Sequence, residues 1–443
     1  MTPNSDRTAT ISPRTLAGLT AGLLLAATGG VALAQPDGAA DPCEGGEAAG
    51  APMPVDETVT EAPTPDPMPV AEPAEVAAST DAAEPSSRAG YDKGFFIESE
   101  SDKGSFELKI NARVQDFWEF ISSDDGAGGR DNESGFQIRR ARLTLEGHIY
   151  SERIGYKFQT DFGKGFVTLK DFIVDLEASD KLWFRAGQWK QPFSRQQILS
   201  SSKLEFVDRA ITDKAFLAAR DIGIGLHNGY EKSPDLEWAV GIFNGTGDKP
   251  GFEGVADPTT GAVTGGFTNV PAKFKPNLVA RVGINHGGIK GYSEADLEGG
   301  PLRWAVGAGV WLEGDFDGND ATRQQATVDA MVKVEGLSAE AGVFFALDNS
   351  KDAMGADVNG QILGLNVQVG KMFGQLEPVA RYALVKQMGD FDSKSDTHEI
   401  AVGAGWFAHS HNVKFQADVG PRITEGGGVA DEIVGRAQLS VGF

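Results

Sequence analysis

Cysteine is almost missing from this chain: Cys43 stands alone among 443 residues. An exported domain stapled by disulfides is excluded, because such domains need paired cysteines. A basic surface is missing too. The formal net charge is −23, which argues against a nucleic-acid partner and against a polybasic membrane-surface protein. No long uninterrupted apolar run follows residue 34, and mean hydropathy is −0.24, so a helical membrane protein is not indicated. The six histidines are scattered. The pair in "HSH" at 409–411 has no cysteine or aspartate beside it, which makes a poor metal site, and a turn is the expected reading. Runs such as "GIG" at 223–225 lack the strand–helix setting of a phosphate-binding loop. No Ser–His constellation can be assembled, so no enzyme activity, cofactor or metal is expected.

What is present falls into three textures. Residues 1–34 carry Arg7 and Arg14, then the apolar run "LAGLTAGLLLAATGGVALA", closing on a small-x-small triplet, and read as an export signal peptide. Residues 35–90 are rich in Pro, Ala and acid, without an aromatic ring before residue 91. They cannot bury enough apolar area to offset ordering entropy and are expected to be a disordered acidic arm, with Cys43 an incidental member. This arm holds twelve acids against one base, Arg88, and the signal two bases against one acid. With −23 for the whole chain, residues 91–443 are left at −13.

From Tyr91 onward apolar and polar residues alternate. In "SFELKINARVQDFWEF", Phe106, Leu108, Ile110, Ala112, Val114, Trp118 and Phe120 share one face; Glu107, Lys109, Asn111, Arg113, Gln115 and Glu119 share the other. A period of two is a strand. Asp116 intrudes on the apolar face. The same alternation recurs in "RARLTLEGHIY", "RIGYKFQTDF", "LRWAVGAGVWLEG", "QATVDAMVKVE" and "IVGRAQLSVGF". In "FVTLKDFIVDLEA" neither parity is clean, since Lys170 shares a face with Phe172 and Val174; a bulge would repair it.

Connectors alternate in length. "SE", "SDK", "EKSPD", "FGQ" and "HSH" are tight, whereas 121–134, 190–218 and 246–275 are long and polar. Short turns at one end and long loops at the other predict a transmembrane antiparallel β-barrel of about sixteen strands over residues 91–443. Closure satisfies every backbone donor and acceptor in the bilayer. The oily face then meets outer-membrane lipid, and Phe106, Trp118, Phe120, Tyr150 and Trp406 are candidates for aromatic belts at its borders. An even strand number puts both barrel ends in the periplasm of a Gram-negative bacterium, with the acidic arm there.

Several stretches resemble the phosphate-selective porin O and P family. "GFQIRRARLTLEG" is similar to its second strand, and "GQWKQPFSRQQILSSSKLEFVDRA" to its fifth strand and the inward loop that follows. "RDIGIGL", "GIFNGTG" and "GFFIESESDKGSFELKINARVQ" resemble neighbouring family segments. The likeness covers roughly 91–443 and is dense in the first half; beyond about Pro276 it rests on barrel texture. The resemblance implies a trimeric sixteen-stranded channel whose third outer loop narrows the pore, with arginines along the anion path. It also implies that the terminal Phe443 is read by the barrel-assembly machinery.

Carried over to this sequence, the resemblance places Arg113, the pair Arg139 and Arg140, and Arg220 on the anion path, and strand parity turns Arg140 and Arg142 inward. The resemblance places Arg195, Lys203, Arg209 and Lys214 in the constriction loop. Strand parity alone adds Arg185, Arg281, Arg303, Arg381 and Arg436 to the inner face and leaves Arg139 open. Guanidinium forks suit a partly dehydrated oxyanion. Acids such as Glu146, Asp161, Asp175 and Asp208 offer them partners, and no lysine cluster is evident in the long loops. The expected function is therefore passive diffusion of small hydrophilic solutes, with anions such as phosphate or polyphosphate among the candidates. The alternative is a structural barrel that tethers the envelope through its acidic arm.

Overall fold

In the computed structural model, residues 86–443 are described apart from 217, 246, 248–250, 257–259, 261–262, 269–273, 315–320, 353 and 427–428. The expected signal peptide, Cys43 and the acidic arm up to residue 85 lie outside the described residues.

Twenty strands are present among the described residues. A hairpin, β1 (Ser86–Tyr91) and β2 (Phe95–Ser101), opens the fold. The wall begins with β3 (Gly104–Asp124), β4 (Arg130–Ile149), β5 (Ser151–Asp161), β6 (Thr168–Ser179), β7 (Leu182–Lys190), β8 (Arg220–His227) and β9 (Leu236–Phe243). A separate hairpin, β10 (Gly251–Ala256) and β11 (Val263–Thr268), follows. The wall resumes with β12 (Asn277–His286), β13 (Arg303–Glu313), β14 (Thr322–Val334), β15 (Leu337–Lys351) and β16 (Asp357–Lys371). It ends with β17 (Leu376–Gly389), β18 (Asp396–His411), β19 (Val413–Glu425) and β20 (Glu432–Gly442). Each wall strand pairs antiparallel with its neighbour, β9 pairs with β12, and β20 returns to β3. β3–β9 and β12–β20 thus form a closed barrel of sixteen strands, as the alternation predicts.

The two faces separate as the period of two requires. Val306, Val310 and Leu312 on β13 point outward and are exposed, while Arg303, Ala305 and Trp311 point inward and are buried. The irregular stretches resolve into bulges. On β4, Gln115 faces Arg140 but Asp116 faces Ile138, so Arg139 is the extra residue and turns inward beside Arg140. On β6, Gln159 faces Asp171 and Thr160 faces Leu169, which makes Lys170 the extra residue and restores the register.

Two expectations need correction. Segment 121–134 is no long loop: β3 and β4 run on, pairing Ser122 with Asn132 and Asp124 with Arg130, so the turn shrinks to 125–129. The strands stay hydrogen-bonded after their apolar residues end, and polarity there was mistaken for a connector. Strand pairing also begins before Tyr91, within the stretch expected to belong to the acidic arm. Ser86–Gly90 belong to β1, held by a 2.6 Å Arg88–Glu98 pair and by Arg88 lying over the Phe96 ring.

The end carrying short connectors has one long exception, 287–302, which turns into the lumen and buries Ile289, Glu294 and Asp296. From the opposite end the β7–β8 connector, 191–219, also enters the lumen. It contains two short helices, α1 (Arg195–Ile198) and α2 (Ile211–Ala215), and most of residues 191–207 are buried. The two inward segments meet: Glu294 N–H donates to the Lys203 carbonyl at 3.0 Å. Together they fill the part of the lumen bounded by β12–β19.

Candidate functional site: a basic passage beside the constriction loop

The constriction loop is fastened to the wall by charge and by close contact. Arg195, fully buried, donates from Nε to Asp329 at 2.9 Å, from Nη1 to the Gly291 carbonyl at 2.9 Å, and lies over the Tyr292 ring. Arg281 grips the same Asp329 through two bonds of 2.7 and 2.8 Å and donates to the Phe193 carbonyl at 3.0 Å. Farther along, Arg381 donates to the Asp208 carbonyl at 2.8 Å and covers the Phe206 ring at 4.2 Å. Gln416 and Lys414 bond the Leu204 carbonyl, and Val207 N–H donates to Asp418. Wall glycines make room for this seat. A Cβ on Gly309 would lie 2.4 Å from the Phe193 carbonyl oxygen, and one on Gly364 would lie 2.4 Å from the Phe216 ring.

Two connected cavities of about 610 and 420 Å³ remain between the loop and the wall strands β3–β8. The larger is mixed in charge: Arg142, Arg185, Lys190 and Arg220 face Glu107, Asp171, Asp175 and Glu231 among others. The smaller is basic. Lys93, Arg113, Arg142, Lys157 and Lys203 line it, against the single carboxylate of Glu146.

The arginines differ in how far their charge is neutralised. Arg142 bonds Asp161 at 2.8 Å, and Arg220 bonds Asp171 at 2.6 Å. Arg185 forks onto Asp175 with two 2.8 Å bonds and reaches Glu231. Arg113 and Arg140 are in no such pair. Arg113 donates to the Ser201 hydroxyl at 3.0 Å, and Arg140 to the Gln115 amide oxygen at 3.1 Å. A guanidinium bonded to neutral oxygens keeps its full charge for an incoming anion. Arg113 feels Arg142, Arg209 and Arg220 against Asp161, and Arg140 feels Arg139, Arg142 and Arg209 against Asp208, so cations outnumber carboxylates around both.

On the loop side, Arg139 pairs with Asp208 and covers the Phe117 ring at 4.6 Å. Burial works against the Asp208 charge, yet Arg139, Arg140, Arg436 and Arg209 outweigh it and hold the carboxyl down at about 2. Burial lowers the Lys203 ammonium below the usual lysine value, and Lys290, Arg113 and Lys93 push the same way.

The residues expected from sequence therefore fall into two groups. Arg113, Arg142, Arg220 and Lys203 line the passage, Arg185 lies in the mixed cavity, and Arg140 sits behind the lining on Gln115. Arg281 and Arg195 do not line it: both are buried behind the loop and act as its anchors. Parity gives the face of a residue but not what covers that face. Arg303, Arg381 and Arg436 are likewise buried in pairs with Asp296, Glu399 and Asp418. Arg209 braces the loop internally, donating to the Gln196 and Leu199 carbonyls at 2.7 Å, and Lys214 is exposed on α2. Lysines arrive from places the long loops did not suggest: Lys157 from β5, Lys190 from β7, and Lys93 from the turn of the first hairpin. Nothing local marks Lys93. His411 bonds Ser293 at 3.0 Å while His409 is exposed, and no metal-holding cluster occurs among the described residues.

The family model described as phosphate-selective porin O and P matches residues 108–281. Among solved structures, the anion-selective porin from Comamonas acidovorans is similar at 14% identity and TM-score 0.50, with 76% of this chain and 99% of that chain covered. The outer-membrane channel DcaP of Acinetobacter baumannii is similar at 14% identity and TM-score 0.51, with 77% and 99% covered. No curated protein matches the sequence. The match runs from within β3 through β8 and on into β12, so it takes in most of the strands that line the passage; over that stretch the chain is similar to the phosphate-selective porin O and P family, and its sixteen-stranded barrel has the fold of the solved porins.

Proposed function

We propose that this protein is an outer-membrane channel for passive diffusion of small hydrophilic solutes, and that its narrowest part favours anions. The observation that carries the preference is Arg113, an inward guanidinium that lines the basic cavity and is bonded only to serine hydroxyls, with Arg140, bonded to the neutral Gln115, adding its charge from behind the lining. An oxyanion entering there exchanges water for charge-assisted hydrogen bonds, while Asp161 and Asp171 keep neighbouring arginines from binding it too tightly to leave. In this reading the long loops face outward, the short turns and the N-terminal arm face the periplasm, and the chain assembles as a homotrimer in lipid.

Reconstitution in a planar bilayer tests this. A reversal potential in a KCl gradient is expected to show anion preference, and added phosphate to reduce the chloride current. Cation preference would overturn the assignment to Arg113 and Arg140.

The tether reading has one observation in its favour. The hairpin directly after the acidic arm is joined to the wall, β2 pairing with β3 over seven residues. Deleting residues 36–85 separates the two readings: an envelope defect with normal conductance would support the tether.

A further inference from the structure

The tip of the constriction loop carries Glu205, which is 2% exposed and directed away from the passage into the wall. Three more buried carboxyls meet it there: Glu377 on β17, Glu340 on β15, and Glu294 on the inward segment 287–302. Glu205 and Glu377 are in close approach. One oxygen of each lies 3.0 and 2.9 Å from the point where a Cβ on Gly370 would stand. Glu205 N–H donates to Glu294 at 2.6 Å, and the Ser338 hydroxyl donates to the Glu205 carboxyl.

The hydrogen-bond inventory of this pocket does not balance for ionised groups. Both oxygens of Glu377, one each of Glu294 and Glu340, and the amide oxygen of Gln368 accept no hydrogen bond. The nearby cations do not supply the missing donors. Lys414 gives a proton to the Leu204 carbonyl, and Lys333 gives its protons to the Lys290 and Ser293 carbonyls. Arg381 is paired with Glu399, Arg195 with Asp329, and Arg303 with Asp296. A pocket crowded with acceptors and short of donors is satisfied when carboxyls hold protons, since a protonated carboxyl donates. Two carboxylates side by side favour the same outcome, because both cannot be ionised cheaply.

We propose that Glu205 is a proton-operated latch: its protonated carboxyl fastens the loop tip against Glu377 and Glu294, and loss of the proton frees the tip and reshapes the passage. The lever is short. Ser200, Ser202 and Lys203, which precede Glu205, line the passage, and Ser200 and Ser201 accept hydrogen bonds from Arg113. Burial raises the Glu205 carboxyl well above the usual glutamate value, and the charges of Glu377 and Glu294 add to it. Burial also raises Glu294. The sign follows. Closing the latch takes up a proton wherever the released carboxyl is ionised, above about pH 4.3. The closed state is therefore full in acid and weakens as pH rises, by about tenfold per pH unit until the closed carboxyl itself ionises.

The inference rests on the channel reading for its consequence but not for its test. Amide exchange of Leu204–Val207 in the refolded full-length protein, corrected for intrinsic pH dependence, is expected to speed up by about tenfold per pH unit through the neutral range. Glu205→Gln is expected to lose that dependence. Glu377→Gln, which offers Glu205 an amide donor, is expected to flatten it with Glu205 still in place. A pH-independent wild type, or a Glu205→Gln protein that keeps the wild-type response, overturns the latch. Bilayer current recorded alongside reads the channel separately: silence with a pH-dependent exchange would fail the channel and leave the latch standing.

Discussion

Arg281 and Asp329 face each other across two parallel bonds of 2.7 and 2.8 Å, one strand apart from direct pairing and sealed beneath the loop they hold. Asp329 also receives the backbone N–H and Nε of Arg195. One carboxylate thus joins two wall strands to the loop. Removing it leaves two buried guanidiniums to share the one remaining carboxylate, Glu237, at 3.1 Å from Arg281 and 4.0 Å from Arg195; breaking a buried pair costs about 3–5 kcal/mol. Asp329→Ala is expected to release the loop from β12–β14. Single-channel recording checks this, through a larger and noisier conductance than wild type, while the heat-dependent gel shift of the barrel is retained.

The seat at Gly309 gives a second test without touching charge. Its Cβ position is 2.4 Å from a backbone oxygen, which has no side-chain freedom with which to yield. Gly309→Val should push Phe193 off β13 at a cost of about 1–3 kcal/mol, typical of overpacking. The expected readout is a changed conductance with unchanged ion preference, because Arg113 and Arg140 are elsewhere.

Anion preference is assigned to particular arginines, so it should respond unequally. Arg113→Gln and Arg140→Gln each remove a charge that no carboxylate bonds directly, and each is expected to weaken phosphate block by about tenfold, the scale of one hydrogen bond to a charged group. Asp161→Asn frees Arg142 and is expected to strengthen block. Equal effects from all three substitutions would contradict the unequal neutralisation seen in the passage.

The first hairpin is a structural element of the wall. Deleting residues 86–101 removes the partner of Gly104–Ile110 on β3 and uncovers Phe443, whose ring meets Phe95 at 5.3 Å. The deletion is expected to lower the temperature at which the folded band is lost on a semi-native gel, while the sixteen seams of the closed wall keep their strand content by circular dichroism.

The barrel was legible because its signal is redundant. Sixteen strands each repeat a period of two, and a bulge such as that at Lys170 disturbs one strand without hiding the rest. The passage was only half legible. Arg113, Arg140, Arg142 and Arg220 lie on strands whose parity fixes their face. Arg281 obeys the same parity, but a segment 88 residues away in sequence, at Phe193, covers it. The inward fold of 287–302 was missed because its anchors, Lys333, Arg303 and His411, come from three separate strands. Nothing in the sequence marks inner-face glycines such as Gly309 and Gly364 apart from the others. Their use as a seat exists only once the loop is in place.

The edge of β3 is divided between two strands: β20 takes Arg113–Ser123 and β2 takes Gly104–Ile110. A strand of period two can close a sheet in any register that preserves its faces, so a slip of two residues would keep every oily side chain outward. Here such a slip toward β2 has nowhere to go, since Phe443 would run into Phe95. The hairpin therefore works as a ruler, setting where the last strand must stop and hence the stagger of the whole closed wall.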